Sequence, residues 1–425
     1  MIAILSTIVV IFLAVIGTPL FIIFGGLALY LFFMAGIDIS AVIIEINRLA
    51  SSPVLIAIPL FTFAGYILAE SKTPHRLIRL FKALFGWFRG GTAILALVAC
   101  AFFTSFSGAS GVTIIALGGI LYPVMTKAGY SEKFSLGLLT TSGSLGLLFP
   151  PSLLIILYGI IANVSIMQLF VAGIIPGIIL LILMSFLALK EGRKVEKVEK
   201  TSFKEIKAAL RGAIWEIPLP FLVIFGIYSG TFTASEAAII TAAYAFFIEV
   251  FIYRDLNLTK DIPRVIRGSM VVVGGIFVIL GSAMGLTNYL VDEQIPMKIL
   301  DWMKTYVNNK IIFLLLLNVF LIIVGAVLDV FSAVIVVIPL IVPIAKNFGI
   351  DPIHMAMIFL TNLEIGYNAP PAGLNLFIAS FRFRKPVMEL AKSTLPFLLM
   401  LITGLMIVTY VPELSLFLVR LLKVQ

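Results

Sequence analysis

Two stretches of the chain gather hydroxyl and amide groups inside otherwise apolar sequence. The first reads TTSGSLGLLFPPSLLIILYG over residues 140–159, the second TNLEIGYNAPPAGLNLFIAS over 361–380. Each contains a proline pair, Pro150-Pro151 and Pro370-Pro371. Such a pair removes two amide donors and pushes the preceding residue out of the helical region. Gly143, Gly146 and Gly366 tolerate the dihedrals that result. A membrane helix broken there frees backbone carbonyls for a small cation. The half-helices that restart near Ser152 and Ala372 offer amides to an anion. Further polar groups stand at two other small-residue tracts, SFSGASG (105–111) and GAVLD (325–329). Thr104, Ser105, Ser107, Ser110, Thr140, Thr141, Ser142 and Ser144 serve the first half. Asp329, Thr361, Asn362, Asn368 and Asn375 serve the second. Oxygen-only donors of this kind suit a hard cation such as Na⁺; the same side chains also serve to hydrogen-bond neighbouring membrane helices.

Two carboxylates lie in this apolar sequence, where an ionised group is costly without a partner. Asp329 has three readings: sodium ligation, a proton relay, or a cap for a helix starting near Val330. Glu364 either supports a site, faces lipid headgroups or pairs with a loop cation. No Lys or Arg occurs in either small-residue tract or either break. A carboxylate substrate would then be neutralised by bound cations and helix ends, which favours cation-coupled uptake over anion exchange. A single cysteine, Cys100, excludes a disulfide framework, and His75 and His354 are too few for most metal or acid–base constellations. No Walker loop, GxSxG elbow or HExxH motif is present. The chain reads as no enzyme.

The elements that must position these groups follow from composition. Of 425 residues, 61% are hydrophobic and 12% charged, about half the charge of a soluble domain. That is an all-α polytopic membrane protein. Residues 53–70, 165–189, 235–253, 267–290 and 386–410 are long and apolar enough to span. Residues 1–35 are interrupted at Gly17-Thr18-Pro19 and make one kinked helix or two. They read as a retained segment, not a cleaved signal. Residues 92–127 and 310–346 are each too long for one helix and break at their small-residue tracts, which predicts two re-entrant hairpins. Amphipathic stretches 38–50 and 258–268, with the basic helix 74–89, are expected as arms in the membrane interface.

An internal repeat organises all of this. Pro123, Gly129, Thr141, Gly146, Pro150, Pro151, Leu154 and Pro176 recur at Pro343, Gly349, Thr361, Gly366, Pro370, Pro371, Leu374 and Pro396, always 220 residues later. Residues 72–89 carry five Lys or Arg and no acid, whereas 292–309 carry two lysines against three acids. Conversely, Arg382, Arg384 and Lys385 match the uncharged 162–165. By the positive-inside rule, 72–89, 190–211, 254–267 and 382–385 are cytoplasmic, so equivalent positions fall on opposite sides. These are inverted-topology repeats, and their paired breaks point to a midplane site in a secondary transporter. The net charge of +9 is accounted for by cytoplasmic loops rather than by nucleic-acid binding. Repeat symmetry favours an outside N-terminus.

Several motifs carry a family resemblance that covers nearly the whole chain. IPLFTFAGYILAES (58–71), FSGASGVTIIALGGILYPVM (106–125), LFVAGIIPG (169–177), GTFTASEAAIITAAYA (230–245) and both proline breaks resemble the large membrane subunit of TRAP, the tripartite ATP-independent periplasmic, transporters. The resemblance implies sodium-coupled import of an organic acid, such as a C4-dicarboxylate or sialic acid, across the inner membrane of a bacterium or archaeon. It implies a small Q-type membrane subunit and a periplasmic substrate-binding protein as partners, and an elevator-type scaffold plus transport domain. It would place one sodium between Ser105, Ser107, Gly108 and Gly143-Ser144, and another among Gly325, Asp329, Thr361, Asn362 and Gly366. Substrate would lie near Ser110, Ser152, Asn368 and Asn375. The chain has Asn368-Ala369 where the family usually has Thr. On this reading, 1–91 and 213–309 are scaffold helices and arms, and 92–189 and 310–411 are hairpins with broken helices. Residues 190–212 link the repeats and 412–425 form a C-terminal segment. A standalone symporter would differ in needing no periplasmic protein.

Overall fold

The computed structural model describes residues 13, 18–40, 42–44, 47, 53–194, 202–229, 231–307, 309–370 and 373–422. The expected interruption near Gly17, much of the arm over 38–50, and Pro371 and Ala372 lie outside them. Every long element among the described residues is helical. Before the first hairpin come α1 (Leu20–Met34), α2 (Ala57–Glu70) and α3 (Thr73–Phe85). The hairpin is α4 (Gly91–Ser107) and α5 (Ser110–Lys127), and the broken helix is α6 (Glu132–Ser142) followed by α7 (Leu153–Ala162). The long α8 (Ile166–Gly192) closes the repeat. After α9 (Phe203–Gly212), the pattern returns as α10 (Pro218–Tyr228), α11 (Ala234–Phe247), α12 (Asp261–Asp292) and α13 (Ile295–Tyr306). The second hairpin is α14 (Lys310–Val327) and α15 (Val330–Asn347), and the second broken helix is α16 (Pro352–Gly366) and α17 (Leu374–Phe383). α18 (Val387–Tyr410) and α19 (Glu413–Leu421) end the chain.

By length and composition seven described helices could cross a membrane, or eight if α6 and α7, bent by 46°, count as one span. Both hairpins turn where the small residues predict. Gly108 closes the first in the left-handed region at φ +66°, donating its N–H to Thr104 O at 2.8 Å. The repeats exchange contacts: α7 packs on α15 of the second hairpin, and α17 packs on α5 of the first. Each broken helix therefore finishes against the other repeat.

Two arms differ from expectation. Residues 258–268 do not form a separate interfacial piece. From Asp261 they run without a break into the 32-residue α12. Pro263 falls in its first turn, where a missing amide breaks no helical bond. The basic helix α3 is likewise no simple surface arm, since its apolar face is buried against α4 and α9. Arg76 reaches three acids at once: Glu249 at 2.8 Å, Glu216 and Asp255. Thr73 donates to Glu249 at 2.7 Å, and the guanidinium lies 3.8 Å over the Tyr253 ring. Burial, and the Glu216 carboxylate to which its hydroxyl donates, push the Tyr253 phenol up. α3 is thereby pinned to the helices beside it.

Candidate functional site

The site is built where hairpin tips meet broken helices, and glycine sets the approach. A Cβ on Gly146 would stand 2.6 Å from Ser105 N and 2.2 Å from Ala101 O, so only glycine lets α4 lie on the first break. Thr104 fastens this contact, donating to Gly143 O at 2.8 Å and sharing a 2.6 Å hydroxyl contact with Thr113. Ser105 donates back to Phe102 O, and Ser107 contacts Ala109 O and Thr113 at 3.4 Å. Ser105, Ser107, Gly108, Gly143 and Ser144 thus share one buried corner. Thr104 and Thr113 are members of this corner that no ligand assignment from sequence included.

The second corner uses the same device. A Cβ on Gly366 would stand 2.6 Å from Gly325 Cα, so the end of α16 and the tip of α14 touch backbone to backbone. Asp329 caps α15, its Oδ1 accepting from Phe331 N and Ser332 N at 3.1 Å and its Oδ2 from the Ser332 hydroxyl. Of its three readings, the geometry displays the cap. The Tyr367 hydroxyl, unremarked in the sequence, accepts from Val330 N at the same tip. Thr361 donates to Met357 O in its own helix. Asn362 turns to α14 about two turns before the tip, donating to Asn318 Oδ1 at 2.8 Å, and Asn318 donates on to Thr409.

Between the corners runs a line of neutral polar groups that crosses from one repeat to the other. Ser110 Oγ donates to Asn375 Oδ1 at 2.7 Å, and Asn375 Nδ2 donates to Asn368 Oδ1 at 3.1 Å. Asn368 Nδ2 in turn donates to Ser144 Oγ at 3.0 Å and to Glu364 O at 2.8 Å. All of these residues are buried. Three expected substrate residues, Ser110, Asn368 and Asn375, are brought together here. Ser152 is not joined to them: it precedes α7, with its hydroxyl buried and lacking a hydrogen-bond partner among the described residues. Glu364 does not face headgroups, and it pairs with no cation among the described residues. It is fully buried, and neither carboxylate oxygen has a hydrogen-bond partner among the described residues. Residues 354–366 are all buried, so α16 occupies the centre of the bundle and no side of it reaches lipid.

Two inverted helical repeats, with polar groups massed at facing breaks, define a multi-pass membrane transporter. The chain matches the family described as tripartite ATP-independent periplasmic transporter, DctM component, over residues 4–414. It is 34% identical over 423 residues to the C4-dicarboxylate TRAP transporter large permease protein DctM of Rhodobacter capsulatus, covering 96% of each chain. It is 33% identical to the isethionate TRAP transporter permease protein DctMQ of Oleidesulfovibrio alaskensis, over 95% of this chain and 64% of that protein. Among solved structures, the YdaH transporter of Alcanivorax borkumensis shares the fold, with a TM-score of 0.60 at 15% identity over 87% of this chain and 86% of that one. The chain belongs to the DctM component family of TRAP transporters, and it is a transport permease rather than an enzyme.

Proposed function

We propose that this permease imports an organic acid carrying carboxylate groups across the inner membrane, driven by sodium, with an elevator movement of the hairpins and broken helices. C4-dicarboxylates are the first substrates to test, on the likeness to the Rhodobacter permease, and sialic acid the second. The observation that carries the reading is the buried line Ser110–Asn375–Asn368–Ser144, which joins one hairpin tip to both breaks. It is rich in donors and holds no fixed charge, so cations at the flanking corners would supply the attraction for an anion. Ser105, Ser107, Gly108, Gly143 and Ser144 would serve one sodium, and Gly325, Asp329, Thr361, Asn362 and Gly366 the other. Ser110, Asn368, Asn375 and, at the start of α7, Ser152 would serve the substrate.

The partners in this reading are a small Q-type membrane subunit and a periplasmic binding protein that delivers the acid. The joined name of the DctMQ relative supports the first. The test is uptake of radiolabelled succinate and sialic acid into proteoliposomes holding the permease and its small subunit. An inward sodium gradient and added binding protein should both be required. Uptake without the binding protein would make the chain a standalone symporter. Uptake driven equally by potassium or choline gradients would remove sodium as the coupling ion.

A further inference from the structure

Asn318 is the one polar residue between Lys310 and Gly325 in α14, KIIFLLLLNVFLIIVG, and it is wholly buried. A polar side chain in an apolar membrane helix is costly unless it is bonded. Its Oδ1 accepts from Asn362 Nδ2 at 2.8 Å on α16, and its Nδ2 donates to Thr409 Oγ1 at 3.1 Å on α18. Thr409 is held in turn: its carbonyl accepts from His354 Nε2 at 3.2 Å, and His354 Nδ1 accepts from the Ser415 hydroxyl at 3.2 Å. A carbonyl can only accept, which makes Nε2 the protonated nitrogen and Nδ1 the acceptor. All five side chains are buried.

This line ends on an atom with nothing to bind. The Asn362 amide donates twice, to Asn318 Oδ1 and to Ile358 O, each at 2.8 Å. Ile358 O only accepts, so turning the amide over would set oxygen against oxygen. Its Oδ1 is therefore directed away from both, and it is buried without a hydrogen-bond partner among the described residues. A buried acceptor left unpaired is destabilising, and a cation in contact with it removes that cost. The backbone beside it belongs to the hairpin tip. A Cβ on Gly325 would stand 3.2 Å from Leu363 Cα, and one on Gly366 would stand 2.6 Å from Gly325 Cα. Helix packing alone does not call for the line. The residues 220 positions before Asn318 and Thr409 are Val98 and Leu189, and with these the first hairpin packs on α6 and α8.

We propose that Asn318, steadied by Thr409, is a positioning residue for sodium at the second corner: it holds the Asn362 amide so that the oxygen faces the ion. The inference rests on the reading of Asn362 as a sodium ligand and adds residues outside the ligand set. An amide oxygen suits a hard cation, and removing a group that orients a metal ligand typically costs about 10–100-fold in affinity. Asn318 stands on the hairpin and Asn362 on the broken helix. The oxygen is aimed only while α14 lies against α16, so an ion bound to it favours the packed hairpin.

The test is equilibrium binding of radioactive sodium to the purified full chain in detergent, beside thermal midpoints in potassium chloride. Asn318→Leu keeps the volume and removes the acceptor, and one sodium should bind about tenfold more weakly. A merely structural role would lower the midpoint in potassium chloride and leave the sodium half-saturation where it was, and that result would overturn the proposal. Asn318→Asp still accepts from Asn362 and can accept from the Thr409 hydroxyl, so it should bind sodium at least as tightly as wild type. A fall equal to that of Asn318→Leu would show that the acceptor is not what aims the amide. Asn362→Leu removes the ligand itself and should lose one sodium per chain. Undiminished binding by Asn362→Leu would overturn the underlying reading. Loss in Asn362→Leu with wild-type binding by Asn318→Leu would overturn the positioning role alone. Should Asn318→Leu fail to fold, Thr409→Val removes only the hydroxyl that steadies Asn318 and carries the same comparison, with a smaller fall in sodium affinity expected and none contradicting the role.

Discussion

At Asp329 a carboxylate displayed as a helix cap is also proposed as part of a sodium corner, and one substitution separates the two tasks. Asparagine caps a helix about as well as aspartate, whereas alanine costs about 0.5–2 kcal/mol. The unfolding midpoint of the wild-type chain should rise in NaCl relative to KCl and choline chloride, because a cation bound only by the folded state stabilises it. Asp329→Asn should lose that sodium increment while keeping its midpoint in KCl. Asp329→Ala should lose both. An undiminished increment in Asp329→Asn would leave the residue as a cap and nothing more. Asn368 and Glu364 show how far single residues can be read from sequence. Asn368 is legible there as a polar group of the second break and a substrate candidate, but not its partners: its amide makes three bonds, to Ser144, Asn375 and Glu364 O, and threonine has no amide with which to make them. Glu364 could not be oriented from its neighbours, because α16 is buried on every side and its sequence has no exposed stripe to give it a phase.

Among the elements, the hairpins and breaks were legible because proline and glycine act locally, at the residues where they stand. The turns at Gly108 and before Asp329 fall inside the two small-residue tracts. What each element packs against was not legible, since hydropathy alone ranks α2 and α14 alike as apolar helices. The Gly325–Gly366 approach is an example, and it makes a prediction. Gly366→Ala inserts a methyl 2.6 Å from the Gly325 backbone, which cannot rotate away. Overpacking of this kind costs about 1–3 kcal/mol. A lowered thermal midpoint is expected, with a weaker sodium increment if the second corner binds the ion, whereas Gly274→Ala, with open space around it, should behave as wild type. On α3, the sequence showed Arg76 as one of several interfacial cations; its acids come from residues 140 to 179 positions away. Arg76→Ala would take the cation from buried Glu216 and Glu249, while Asp255 keeps Lys72, and breaking a buried ion pair typically costs about 3–5 kcal/mol. Arg79→Ala, on the same helix, should cost far less. Equal losses in the two variants would show that the cluster does not hold the arm.

For the molecule as a whole, the repeat and its inversion are legible in proline spacing and charge placement. The exchanged packing of α7 on α15 and α17 on α5 could not, because it is a relation between residues about 180 and 260 positions apart. That exchange means that neither repeat encloses its own broken helix. A chain interrupted between residues 194 and 202 should therefore yield two fragments that purify together from one membrane. Each expressed alone should be degraded, and a fragment that accumulates alone in folded form would contradict the dependence.

The same exchange bears on ancestry. A gene encoding one repeat would have had to insert its product in both orientations, since each copy is completed only by a neighbour facing the opposite way. Such a protein must keep its topogenic charges nearly balanced. Duplication and fusion would remove that constraint, after which each half could fix its own orientation and acquire groups useful on one side only. A carboxylate opposite Ala109 and an asparagine opposite Leu148 are differences of the kind such release would allow.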